Sequence, residues 1–161
     1  MSGDDNQIPS ALVAVGTKVL AVRSATLIKR GLALVESLQS GDADAHHNLG
    51  IALYLKGDLD GAIAEYRTAL RLQPDKVEAH NNLGTALQAK GDLEGAIAEW
   101  RTAVRLQPDF ADAHDNLGSA LQAEGDLEGA IAEHRTALRL QPDHANARYN
   151  LAAALRRKGN R

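Results

Sequence analysis

Residues 77–110 carry a hydrophobic pattern that predicts two helices joined by a tight turn. Ala79, Leu83, Ala86 and Leu87 recur at helical spacing. Gly91 follows, and without a Cβ it suits the left-handed backbone that closes a helix. Asp92 comes next, with a carboxylate able to accept from the free amides at the start of a second helix. In that helix Leu93, Ala96, Ile97, Trp100, Ala103 and Val104 make one apolar stripe. Pro108 cannot continue the helix, and Asp109 is placed to cap the next one. Neither helix buries its stripe alone, so successive units must stack.

The pattern repeats along the chain. Units at 43–76, 77–110 and 111–144 share a period of 34 residues, and 145–161 is a half unit. Residues 76–109 and 110–143 agree at 26 of 34 positions. Helices are therefore expected near 45–56 and 59–72, 79–90 and 93–106, and 113–124 and 127–140, with turns at Gly57, Gly91 and Gly125. A last helix, near 145–158, is expected to cap the array with a basic outer face. The ending Lys158-Gly159-Asn160 resembles the start of another such turn, so the natural chain is expected to continue.

Upstream the pattern is weaker. Residues 1–8 are expected to be disordered. Residues 9–42 are expected to form an N-terminal helical cap or a degenerate repeat, with Gly16 one period before Gly50 and Leu38 one period before Leu72. The Gly-Asp turn is missing there. Leu12, Val13, Val15, Val19, Leu20 and Val22 make the first of these helices apolar almost all round, which predicts burial on more than one side.

The repeat resembles the tetratricopeptide (TPR) signature, W-x2-L-G-x2-Y, then A-x3-F, then P, at the same period. Here it stands as His80-x2-Leu83-Gly84-x2-Leu87, then Ala96-x3-Trp100, then Pro108. His replaces the first aromatic and Leu the tyrosine, departures shared by His46 and His114 and by Leu53 and Leu121. The resemblance covers residues 43–161. It implies an all-α fold, an α-solenoid of TPR helix–turn–helix repeats wound into a right-handed superhelix, with the first helices lining a concave groove.

Composition narrows the function. Hydrophobic residues are 44% of the chain but aromatics only 3%, so Ala and Leu must do the packing. No run of about 18 apolar residues is present, so no spanning helix and no membrane role are expected. The start is acidic where a secretory signal is basic, which points to the cytoplasm. There is no cysteine for disulfides or thiolate metal sites. The units from 43, 77 and 111 carry net charges of −1, −2 and −5, and 145–161 carries +5. In the second helices Arg67, Arg71, Arg101, Arg105, Arg135 and Arg139 are matched by Asp60, Glu65, Glu94, Glu99, Glu128 and Glu133. That balance predicts a solvated, neutral convex face and no nucleic-acid partner.

The candidate chemistry lies on the first helices. Helical spacing turns His46, Leu49, Gly50 and Leu53 inward and leaves Asp44, His47, Asn48, Ile51 and Leu55 on the free face. Asn48, Asn82, Asn116 and Asn150 recur there once per unit. An amide donates and accepts at once, matching a peptide group. The row resembles the asparagine ladder of the superhelical TPR domain of O-GlcNAc transferase, which implies a hold on the backbone of an extended peptide. Asp44, Glu78, Asp112 and Asp115 share the face, with His47 and Asn81 beside the row. They predict a preference for neutral or basic ligands, although acids in a first turn also favour the helix dipole, and Asp75 with Glu78 resembles a capping box. The basic clamp of chaperone-binding TPR domains would fall on His47, Ile51, Asn82, Asp112 and Asn116. Only Asn82 matches it.

His46, His80 and His114 take the place of the missing aromatic and are expected to be half-buried fillers rather than ligands; no metal or other cofactor is expected. No phosphate loop, nucleophile elbow or zinc motif occurs, so no enzyme activity is expected. The chain is expected to be a protein–protein interaction module or adaptor that binds a peptide or partner segment in its groove. The alternative is a structural scaffold that self-associates through residues 10–38 as a homodimer. A regulatory fragment of a larger enzyme is the third possibility.

Overall fold

The computed structural model describes Arg30 and residues 41–160. The expectations for 1–8, for a cap or degenerate repeat over 9–42 and for self-association through 10–38 lie outside the described residues. The chain divides into two units, Met1–Gly41 and Asp42–Arg161.

In the second unit residues 42–160 form seven helices: α1 (Ala43–Lys56), α2 (Leu59–Leu72), α3 (Val77–Lys90), α4 (Leu93–Leu106), α5 (Ala111–Glu124), α6 (Leu127–Leu140) and α7 (Ala145–Gly159). Each first helix packs on the second helix of its own repeat, and each second helix packs on the first helix of the next. No strand occurs among the described residues.

The turns lie where the glycines predict. Gly57, Gly91 and Gly125 adopt φ of 88°, 93° and 93°, the left-handed backbone that only glycine takes without a steric penalty. The aspartate after each glycine caps the second helix. Asp58, Asp92 and Asp126 each accept from a backbone N–H three residues on, at 2.9 Å. Asp92→Ala should therefore lower the unfolding free energy by about 1 kcal/mol. A urea midpoint that falls at constant slope would show it; an unmoved midpoint would contradict the role of the cap.

The first helices start about two residues earlier than expected, and their capping differs. Lys76 and Phe110 occupy the N-cap positions of α3 and α5, with no side-chain cap. The preceding loop closes on itself instead, with Lys76 N–H donating to Gln73 O and Phe110 N–H to Gln107 O, both at 3.2 Å. That turn holds Asp75 and Asp109 before the cap, so the expected capping box of Asp75 with Glu78 does not form, and Asp109 caps nothing. Side-chain caps do occur at the outer first helices, from Asp42 to Asp44 N–H at 2.9 Å and from His144 Nδ1 to Ala147 N–H at 3.2 Å.

Small residues let the helices approach, and one large ring per repeat fills the space between them. Tyr66, Trp100 and His134 are the large buried side chains at equivalent places. Each lies against a bare backbone. A Cβ at Gly50, Gly84 or Gly118 would fall 2.6, 2.7 or 2.8 Å from the facing ring. Around the rings Ala62, Leu83, Ala86, Ile97, Leu117 and Ala130 belong to one core cluster. At the far end α7 lies against the acidic third repeat. Lys158 Nζ is 3.0 Å from Glu128 Oε1, and Arg157 donates to Gln122 O at 3.2 Å. The basic last helix and the acidic third repeat thus meet through opposite charges, but both partners of the ion pair are more than half exposed, so it contributes little to stability.

Candidate functional site

The row of first helices is laced by side chains. Asn82 on α3 donates through Nδ2 to His47 Nε2 on α1, at 2.9 Å. Asn116 on α5 donates to Asn81 Oδ1 on α3, at 3.0 Å. Asn150 on α7 donates to Asp115 Oδ1 on α5 at 3.2 Å, and to Ser119 Oγ at 3.2 Å. Each asparagine thus spends its donor on the repeat before it, and its Oδ1 has no partner among the described residues. Asn48 on α1 is exposed and makes no such bond.

This lacing changes the expected groove wall. Asn81 and Asp115, expected on its open face, are buried, because the next repeat's asparagine covers each of them. Asn81 also accepts through its backbone carbonyl from Trp100 Nε1, at 3.1 Å. Asp115 also accepts from His134 Nδ1, at 2.7 Å. The outer acids stay exposed but are partly matched. Asp44 lies 2.6 Å from Lys76 Nζ, and that bond holds its carboxyl below the usual range. Asp112 lies 2.9 Å from His144 Nε2. Glu78 is exposed and makes no ion pair among the described residues.

Beside the row, Ile51, Tyr54, Leu55, Tyr66, Asn82 and Thr85 line a pocket of about 260 Å³. The His47 ring lies 5.8 Å from that of Tyr66, tilted by 47°. Burial pushes the Tyr66 phenol up to about 12. Burial and then Lys76 push the His47 imidazole down, which keeps Nε2 free to accept from Asn82. Helical spacing already placed Ile51 and Leu55 on the free face. It did not reveal Tyr54, and it did not show that the three meet in one pocket.

Of the histidines at the missing aromatic's place, His46 and His80 are half-buried and His114 is buried, and they do more than fill space. His46, His80 and His114 donate through Nδ1 to Glu65, Glu99 and Glu133, each at 2.6 Å. His80 and His114 also donate through Nε2 to the carbonyls of Pro74 and Pro108, at 2.9 and 3.0 Å. The three glutamates were expected to face solvent beside the arginines. They turn in to the histidines across their own helical hairpins, a pairing that spacing within one helix cannot show. In the fourth, partial repeat Arg148 takes the histidine's place and donates to Pro142 O at 3.1 Å.

Two acceptors around one ring favour the imidazolium, which alone carries both protons. The glutamate bond is the main cause that raises His80 and His114 from 6.5, with burial opposing it. A raised folded value stabilises the fold fully below pH 6.5, and the gain is lost as pH rises through it. His47 works with the opposite sign: its depressed value favours the fold above pH 6.5, and that gain is lost as pH falls. The melting temperature should therefore decline on the alkaline side of 6.5, and the decline should shrink in His80→Gln with His114→Gln. An undiminished decline in the double variant would contradict the assignment.

Among the described residues no group of three or more His, Asp or Glu side chains is placed to hold a metal ion. None of the helices among them is long and apolar enough to cross a membrane.

The repeat geometry matches known proteins. A family model for the TPR repeat matches residues 52–91, 85–125 and 120–159. The chain belongs to the TPR family. The O-GlcNAc transferase of Thermobaculum terrenum shares 32% identity over 70% of this chain, with a TM-score of 0.67, and the match takes up 22% of that enzyme. The first TPR domain of Spaghetti (RPAP3), solved with the HSP90 peptide SRMEEVD, has a TM-score of 0.71 at 22% identity, over 73% of this chain and 93% of that one. MamA has a TM-score of 0.73 at 23% identity, over 79% of this chain and 75% of that one. These last two show the shared fold. The search of curated proteins found no match. The all-α TPR solenoid expected from the repeat is thereby shown.

Proposed function

We propose that this TPR array is a protein–protein interaction module that holds an extended peptide or partner segment along the row of first helices. The observation that carries this reading is the set Asn82, Asn116 and Asn150. Each amide is oriented by its bond to the preceding repeat and keeps an acceptor oxygen for a ligand N–H. Fixed acceptors at regular intervals suit a peptide backbone, which offers donors at regular intervals. Peptide complexes of the same fold support it: the Spaghetti domain with its HSP90 peptide, and the second TPR domain of human RPAP3 with the HSP70 peptide SGPTIEEVD. Both of those peptides are acidic. This chain places Asp44, Glu78 and Asp112 on the exposed face, and its positions for a basic clamp hold His47, Ile51, Asp112 and Asn116. The ligand of this chain is therefore neutral or basic. In this reading the chain acts as a cytoplasmic adaptor, with no catalytic step of its own and no nucleic-acid or membrane partner.

A peptide array probed with the full chain tests the proposal. Asn82→Ala with Asn116→Ala should weaken the peptides selected by about 1 kcal/mol per lost hydrogen bond, about fivefold each. The helical circular dichroism should stay the same. Unchanged affinity in the double variant would set the ladder aside.

A further inference from the structure

The first repeat differs from the others at three neighbouring positions of its first helix. Ile51, Tyr54 and Leu55 stand where the second repeat has Thr85, Gln88 and Ala89, and the third Ser119, Gln122 and Ala123. All three line the pocket of about 260 Å³, and Leu55 is 79% exposed. Ile51 and Tyr54 also pack against the core cluster, but two repeats with the same helix bounds and the same turn do without apolar residues of this size at these places. Three apolar side chains gathered in one concavity, one of them almost fully in water, point to a binding surface.

The surroundings say what the occupant carries. Asn82 and Thr85 form one wall, and the free Oδ1 of Asn82 is an acceptor beside a mostly apolar cavity. Glu78 lies one turn earlier on α3, on the same face as Asn82, and its carboxylate makes no ion pair among the described residues. We propose that this pocket takes a leucine-sized or larger apolar side chain of the peptide ligand, with a Lys or Arg beside it in the ligand directed to Glu78. Asn82 then accepts from the backbone N–H between them. The first repeat becomes the specificity end of the groove, and the second and third supply sequence-independent backbone contacts. This rests on the peptide-binding role proposed above.

The test uses the full chain and fluorescein-labelled nonapeptides of an uncharged Thr-Ser host. Their centres carry Leu-Lys, Ala-Lys or Leu-Glu, and binding is read by polarisation. Leu-Lys should bind about tenfold tighter than Ala-Lys, the worth of one buried leucine side chain. It should bind about fivefold tighter than Leu-Glu, from the charge of Glu78. Ile51→Thr with Tyr54→Gln and Leu55→Ala imports the second repeat's own residues, so the helix should persist. This variant should bring Leu-Lys down to the level of Ala-Lys. Survival of the Leu preference in it would overturn the pocket. Equal binding of all three peptides to the native chain, weakened by Asn82→Ala with Asn116→Ala, would overturn the pocket and leave the ladder standing. If no peptide binds at all, both fall. Self-association that the triple variant abolishes, without any peptide preference, would make the pocket a seat for a second copy and overturn the proposal.

Discussion

Trp100→Ala should destabilise the array by about 3–5 kcal/mol, the cost of emptying a large aromatic site in a packed interior. Trp100 is 1% exposed and lies against the backbone of Gly84. The bare backbone of Gly84 faces the ring, and Ala86 and Ala96 of the same core cluster have little side chain to move into the gap. The substitution also leaves the Asn81 carbonyl without the indole N–H that it accepts from. In a solenoid each repeat contacts only its neighbours, so damage to the middle repeat uncouples the two outer ones. A domain of this size has about 5–15 kcal/mol of stability in all, so the loss should be plain in a urea titration. A second transition, or a lowered slope, would show the outer repeats melting apart. A loss under about 1 kcal/mol would mean that the ring is not the centre of the core.

The hairpins were legible because their signals are local. A left-handed turn selects glycine and the following cap selects aspartate, so Gly91 and Asp92 mark one boundary unambiguously, and α2, α4 and α6 occupy the expected residues. The starts of α3 and α5 were less legible because Lys76 and Phe110 at the caps carry no capping oxygen, and Asp75 and Asp109 lie just before them in the turn. What joins one helix to another was not legible at all. Glu99 has the spacing of a solvated residue on its own helix, yet it pairs with His80 across the hairpin.

The asparagine row shows the same limit. Its recurrence can be read directly from the repeat. Its partners cannot, because each bond joins residues 35 apart, one more than the period. The residues on the accepting side also differ from repeat to repeat, as His47, Asn81 and Asp115. Asp115 is the clearest case. A carboxylate in the first turns of a helix has a sufficient surface explanation, and only packing shows that the place is interior.

Asp115→Ala should cost about 3 kcal/mol, as the removal of one partner from a buried polar pair. The His134 side chain is 0% exposed and that of Asp115 7%. Nε2 of His134 is already a buried atom without a partner, so the loss of Asp115 would leave the whole ring unsatisfied. Asn150 would keep only Ser119, and α7 would lose part of its hold on the third repeat. The second repeat shows how the same space is filled without this pair. There Trp100 donates to the backbone of Asn81, and the Asn81 side chain accepts from the next asparagine. His134→Trp alone should destabilise, because it leaves the Asp115 carboxylate buried without its ring partner. Asp115→Asn with His134→Trp reproduces the second repeat's arrangement and should recover native stability. The coupling in this cycle should reach about 1–3 kcal/mol, the range for side chains in direct contact. Additive losses, or an Asp115→Ala variant within about 0.5 kcal/mol of the native chain, would show that the pair does not hold the third repeat together.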